Sequence, residues 1–186
     1  MKLKRHCDLC DHQKLSLEKG ITCGVTNKKP SFNKTCTKID FGNNLLDLLE
    51  DILIEYEDLK LIKKKVCKNY FLKLFFGVIV ILFGFLFWKF FVLENYRDSL
   101  DSTSRIITIP IAILSIGFII IKIAINKLNK FKRHLFNTKN SKLEIDEVLN
   151  LYNQKYKYRV KFDEEIHGTQ DVEIDVVVNR QVAQLI

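Results

Sequence analysis

Cys7, Cys10, Cys23 and Cys36 lie near the start of a chain of 186 residues, and their spacing suits either a metal centre or a disulfide framework. Cys7 and Cys10 form a C-x2-C knuckle, and twelve residues separate Cys10 from Cys23 and again Cys23 from Cys36. A knuckle lets two thiolates reach one ion at about 2.3 Å, and two further cysteines complete a tetrahedral zinc site. In an oxidising compartment the same four would form two disulfides. In reducing water they bind metal or stand as unligated thiols. Four thiolate donors leave no open position for water, so the zinc expected here is structural rather than catalytic. His6 and His12 flank the knuckle; either could replace a cysteine, although histidines so placed are more often bystanders.

Little else in the sequence offers chemistry. Cys67 stands apart in KKKVCKNY, where a plain helix residue is expected and palmitoylation is the functional alternative. The stretch DEEIHGTQD gathers Asp163, Glu164, Glu165, His167 and Asp171. A solvated turn is expected there; a metal or catalytic cluster is the sharper reading. The chain shows no glycine-rich phosphate loop and no Ser-His-Asp arrangement. It is expected not to be an enzyme.

The elements that carry these residues are dominated by two apolar runs, 71–93 and 106–125. Each is about as long as a helix needs to cross roughly 30 Å of hydrocarbon. The first is apolar all round, which suits lipid rather than a half-exposed surface helix. Trp88 and Tyr70 flank it as interfacial aromatics do. Neither run has the position or order of a signal peptide. Lys60, Lys63, Lys64, Lys65, Lys68 and Lys73 precede the first run, and Lys122, Lys127, Lys130, Lys132 and Arg133 close the second. Such residues stay on the inner side, which predicts both termini in the cytoplasm, a short external loop, and hence reduced thiols. The net charge of +8 then sits largely beside the membrane. Its expected partner is an anionic leaflet rather than nucleic acid.

Between cysteines and membrane, NNLLDLLEDILIEYEDLKLIKKKVCKNYF has a helical period, with Asn43 or Asn44 as cap. Leu45, Leu49, Ile52, Tyr56, Leu59, Lys63 and Val66 trace a heptad seam broken only by Lys63. Self-association is favoured for it, packing on the helix after the second span being the alternative. Gly77 and Gly84 would let the spans approach closely. No acidic or histidine residue lies mid-span, which disfavours an ion-coupled transporter. Beyond the second span, Ser141 and Glu144 resemble a capping box opening a new helix. The period then becomes two: Tyr156, Tyr158, Val160 and Phe162, then Val172, Ile174, Val176 and Val178, predict a hairpin.

The stretch CDLCDHQKLSLEKGITCGVTNKKPSFNKTCTKIDF resembles a cysteine-rich N-terminal module of small, uncharacterised bacterial membrane proteins. Gly20, Ile21, Cys23, Gly24, Thr26, Pro30, Phe32 and Cys36 match its pattern, while Val25 stands where leucine is usual. The resemblance covers about the first 41 residues and implies a zinc-binding module of unknown role; it implies nothing about enzymatic activity.

The expected fold class is therefore an α-helical membrane protein with two transmembrane helices, a small N-terminal zinc-ribbon-like module and a small cytoplasmic α+β tail of helix plus β-hairpin. The expected divisions are 1–41 for the four-cysteine zinc-binding module, 43–69 for the amphipathic or coiled-coil helix, 70–93 and 106–125 for the spans, 94–105 for the external loop and 126–186 for the tail. Cys7, Cys10, Cys23 and Cys36 are the expected ligands of a structural Zn2+. The expected function is that of an oligomeric inner-membrane effector or sensor, with a pore-forming antiphage-type effector as one version. The alternative is a scaffold or adaptor that recruits a cytoplasmic partner through the zinc module.

Overall fold

The computed structural model describes residues 3–92, 103–163 and 171–180. Helix α1 (Leu3–Asp8) leads into an antiparallel hairpin of β1 (Gln13–Ser16) and β2 (Gly20–Cys23). Helix α2 runs through Asn43–Phe87 and passes into a π-helical segment, Trp88–Val92. Helix α3 occupies Thr103–Leu151, and strands β3 (Gln154–Phe162) and β4 (Val172–Arg180) form a second antiparallel hairpin. The chain divides into two units, Met1–Leu59 with Leu135–Ile186, and Lys60–His134.

The first unit has a core of Leu9, Leu45, Leu49, Ile52, Leu53, Ile145, Val148 and Leu149. Leu45, Leu49 and Ile52, the first part of the heptad face of α2, are thus covered within the chain by the last turns of α3, the alternative that the sequence left second to self-association. Removing these side chains from water supplies roughly 1.5–3 kcal/mol each. The hairpin lays one side over this core: Tyr156, Tyr158, Ile174, Val176 and Val178 pack against it. The register pairs Tyr156 with Val178 and Tyr158 with Val176, while Arg159 faces Asp175 and Lys161 faces Glu173 on the outer side. The Lys161–Glu173 pair, at 3.8 Å and exposed, adds little stability. Two hydroxyls fix the hairpin more firmly: Tyr156 donates to Asp146 at 2.6 Å and Tyr158 to Glu57 at 2.9 Å.

Two expectations about helix ends need correction. Ser141 and Glu144 do not open a new helix, because α3 is unbroken from Thr103 to Leu151. The apolar stripe through Ile145, Val148 and Leu149 continues the helix, and Glu144 instead meets Arg5 of α1 at 3.4 Å. The start of α2 is capped from outside: Asp11 accepts from the backbone N–H of Asn43 at 3.1 Å and of Asn44 at 2.9 Å. Gly42 is needed for this approach, since a Cβ there would run into the Asp11 carboxylate. At its far end α3 stops where Asn153 takes a positive φ of 52°, a conformation asparagine tolerates at helix ends.

The second unit contains the two apolar runs. Each lies in a helix long and apolar enough to cross a membrane, with a mean hydropathy of 2.4 over its central window. Only 11% and 17% of those windows is buried, whereas a soluble core helix would be mostly covered. Phe71, Phe75, Phe76, Phe83, Phe118 and Ile119 are all exposed. The helices run antiparallel and touch along small residues. A Cβ on Gly77 would meet Ile121 at 2.5 Å and the Gly117 carbonyl at 3.3 Å; one on Gly117 would meet Ile81 at 2.6 Å. Gly84 faces Ile113 and Leu114. Ser115 satisfies its hydroxyl on the Ile111 carbonyl at 2.8 Å, a local bond that suits an apolar setting. Pro110, the eighth residue of α3, lies beyond its first turn and is fully buried. Most of the expected external loop lies outside the described residues.

Candidate metal centre

The four cysteines come from different local structures. Cys7 sits in α1, Cys10 follows it, Cys23 ends β2, and Cys36 lies on the irregular segment before α2. The knuckle turn is closed by the Cys10 N–H on the Cys7 carbonyl at 3.1 Å, and the Gln13 N–H then donates to the Cys10 carbonyl at 3.0 Å. A second turn follows Cys23, whose carbonyl accepts from the Asn27 N–H at 2.7 Å while Asn27 takes a φ of 52°. The Gly24 N–H donates to the His12 carbonyl at 2.6 Å and joins the two turns.

All four cysteines line one cavity of about 300 Å³, together with His6, His12, Phe32 and others. All are free thiols. Burial first, and then repulsion from Cys10, Cys36, Cys23 and Asp8, together push the Cys7 thiol up to about 11. The thiols are therefore close enough to oppose one another's ionisation. Cys23 moves the other way: the Thr26 N–H stabilises its thiolate, aided by the Val25 N–H and the Thr26 hydroxyl. The Asp40 N–H points at the Cys10 sulfur at 3.4 Å. Backbone donors aimed at sulfur favour the thiolate, the form that binds metal.

The donor set fits a thiophilic divalent ion in type, number and supporting hydrogen bonds. Its spacing is not yet that of a coordination sphere: among the described residues, no group of three or more His, Cys, Asp or Glu side chains is arranged to hold a metal ion. The expected ligands are thus brought to one cavity without being drawn to ligand distance.

The histidines take separate places. His6 is buried, 2% exposed, and its Nδ1 lies 3.0 Å from the Tyr152 hydroxyl. That hydroxyl also accepts the Cys36 N–H at 2.7 Å. Phe32 and Tyr152 meet the His6 ring edge-on at 5.1 and 5.7 Å. Burial lowers the His6 pKa and raises that of Tyr152. Nothing in the sequence around Tyr152 marks it for this role. It joins α1, the Cys36 segment and the end of α3 through one oxygen. His12 is less enclosed, with its Nε2 4.0 Å from Asp40.

Cys67 belongs to the other unit, on α2. In the acidic stretch, the Asp163 N–H donates to the Asp171 carbonyl at 3.1 Å, and Glu164, Glu165 and His167 lie outside the described residues. Comparison with family models, curated proteins and solved structures finds no match to this chain.

Proposed function

We propose that this chain is a non-enzymatic protein of the bacterial inner membrane that holds a zinc-stabilised binding module at the cytoplasmic face. The observation that carries the reading is the convergence of Cys7, Cys10, Cys23 and Cys36 on one cavity, in a chain that also has two helices able to span a bilayer. The basic flanks favour a cytoplasmic position for both termini, and reducing water there keeps thiols available for metal.

Zinc, when bound, supplies folding energy to the module. The packing supports this reading. Leu15 and Leu17 are 78% and 106% exposed, Val25 is exposed as well, and among the module's described large apolar residues only Leu9 enters the buried core. A segment of about forty residues with so little core is usually stapled. Cys7, Cys10, Cys23 and Cys36 would hold the ion. The N–H groups of Asp40, Thr26 and Val25 would stabilise thiolates, and Tyr152 would hold the Cys36 segment in place.

Tethering of a docking or sensing module is favoured over pore formation by the use made of the small residues. Gly77, Gly84 and Gly117 are filled by side chains of the same chain, and the α2 seam is covered by α3. The second reading, an oligomeric membrane effector, draws support from the open apolar sides of both spans, such as Phe75, Phe83 and Phe118, which further copies could cover. Reconstitution of the full chain into dye-loaded vesicles separates the two. The tethering reading predicts no leakage at any protein-to-lipid ratio, and concentration-dependent leakage would overturn it in favour of the effector.

A further inference from the structure

Within the unit Lys60–His134, α2 and α3 enclose a groove of about 230 Å³ lined by Val66, Asn69, Tyr70 and Lys73 from one helix and Ala124, Lys127, Leu128 and Phe131 from the other. Both sets follow the 3, 4, 7 spacing of a single helix face. The groove continues the line of contact that passes through Gly77 and Gly117. Ala124 is 2% exposed at its floor, a small residue between bulky neighbours that leaves the space open.

The chemistry of this groove is unbalanced. Lys73 and Lys127 both border it, and neither has a carboxylate partner among the described residues. From Lys60 to His134 the only acids are Glu94, Asp98 and Asp101, all in the segment between the two apolar runs. Two ammonium groups held beside one small cavity repel each other, and the repulsion grows as water is replaced by apolar surroundings. Asn69 and Tyr70 add polar groups beside them, while Leu128, Phe131 and Val66 give an apolar wall. Lys73 directly precedes the fifteen uncharged residues of the first span, and Lys127 follows the second span, so the groove opens where headgroups meet hydrocarbon. Phosphate between ammoniums with an acyl chain along apolar wall is the chemistry of an anionic phospholipid.

We infer that this groove is a specific site for one anionic phospholipid per chain, its phosphate held between Lys73 and Lys127 and the start of its acyl chain lying on Leu128 and Phe131. The site rests on the membrane-spanning reading and narrows it from a general attraction of the basic collars to a single bound lipid. The collar residues Lys64, Lys65, Lys130 and Lys132 lie outside the lining and contribute diffuse attraction, which salt screens.

The test uses the full chain, purified in detergent and offered phosphatidylglycerol or phosphatidylcholine, with retained lipid counted by native mass spectrometry. Vesicle flotation with each lipid is run alongside. One phosphatidylglycerol per chain is expected, retained at least about tenfold better than phosphatidylcholine. Lys73→Gln with Lys127→Gln is expected to abolish the preference, whereas Lys130→Gln with Lys132→Gln leaves it within about twofold. Ala124→Leu, which fills the floor without changing charge, is expected to reduce retention as well. Circular dichroism confirms that each variant keeps its helices. Equal retention of the two lipids, or retention unchanged in the Lys73 and Lys127 variant, overturns the site. Displacement of phosphatidylglycerol by millimolar inorganic phosphate also overturns it, because the acyl chain would then contribute nothing. A chain that floats with neither vesicle overturns the spanning reading and the site together; one that floats with both but retains the lipids equally overturns the site alone.

Discussion

Leu49 is the most direct probe of whether α2 is partnered inside its own chain. It is 1% exposed and shares a cluster with Ile145, Val148 and Leu149 of α3. Leu49→Ala removes buried methyl groups and leaves a cavity, at a cost of about 2–5 kcal/mol. At about 3 kcal/mol the local opening equilibrium rises roughly 100-fold. Amide hydrogen exchange of the full chain in lipid nanodiscs reads this locally. Protection across residues 45–59 should fall about 100-fold, while residues 74–88 keep theirs. Leu149→Ala should lower protection of the same α2 amides by a similar factor, and the double variant should cost less than the sum, as expected for neighbours in one cluster. Leu17→Ala, at a fully exposed position, should change nothing. The reasoning is refuted if Leu149→Ala leaves α2 protection within threefold of the parent while Leu49→Ala reduces the mass of the detergent-solubilised particle. The seam would then pair copies of the chain.

Other consequences can be checked on the same material. Asp11→Ala removes the external cap of α2 and should cost about 1 kcal/mol, read as roughly fivefold faster exchange confined to the first turns after Gly42; Asp11→Asn should retain much of the cap. In metal-free protein near neutral pH, iodoacetamide should modify Cys23 before Cys7, because hydrogen bonds favour the Cys23 thiolate and burial opposes that of Cys7; peptide mass spectrometry after a timed quench gives the order. Burial and the Asp146 carboxylate push Tyr156 up to about 12 from 10.0. The folded chain therefore holds this proton more tightly, and the stability it lends is complete below pH 10 and lost as pH climbs towards 12. Thermal unfolding should weaken across that window, and Tyr156→Phe should flatten the change.

The parts of the fold legible in the sequence are those written in a local period. The runs through Phe71 and Ile106 announce helices long and apolar enough to cross a membrane, and the tail hairpin is visible because Tyr156, Tyr158 and Val160 alternate with Lys157, Arg159 and Lys161. The partner of an apolar face is not a local property. The heptad seam of α2 shows that something must cover it, and only the folded chain supplies Ile145 and Leu149 from α3. Caps fail for the same reason. Ser141 and Glu144 have the right spacing but sit inside a longer helix, whereas Asp11 caps α2 from 32 residues away. At the candidate metal centre the spacing of Cys7, Cys10, Cys23 and Cys36 points to one zinc site; the fold brings the four to one cavity, but among the described residues no group of three or more His, Cys, Asp or Glu is arranged to hold an ion. The Tyr152 hydroxyl, bonded to His6 and to Cys36 across 146 and 116 residues, had no signal in the sequence around it.

Metal content tests the account at its centre. The full chain, purified in detergent under reducing conditions without added chelator, should contain one zinc per chain by inductively coupled plasma mass spectrometry. Removing that zinc should expose four further reactive thiols. Cys7→Ser and Cys36→Ser should each lose most of the metal, while Cys67→Ser keeps it. A parent chain that carries no zinc and has all five thiols reactive at once would contradict the account.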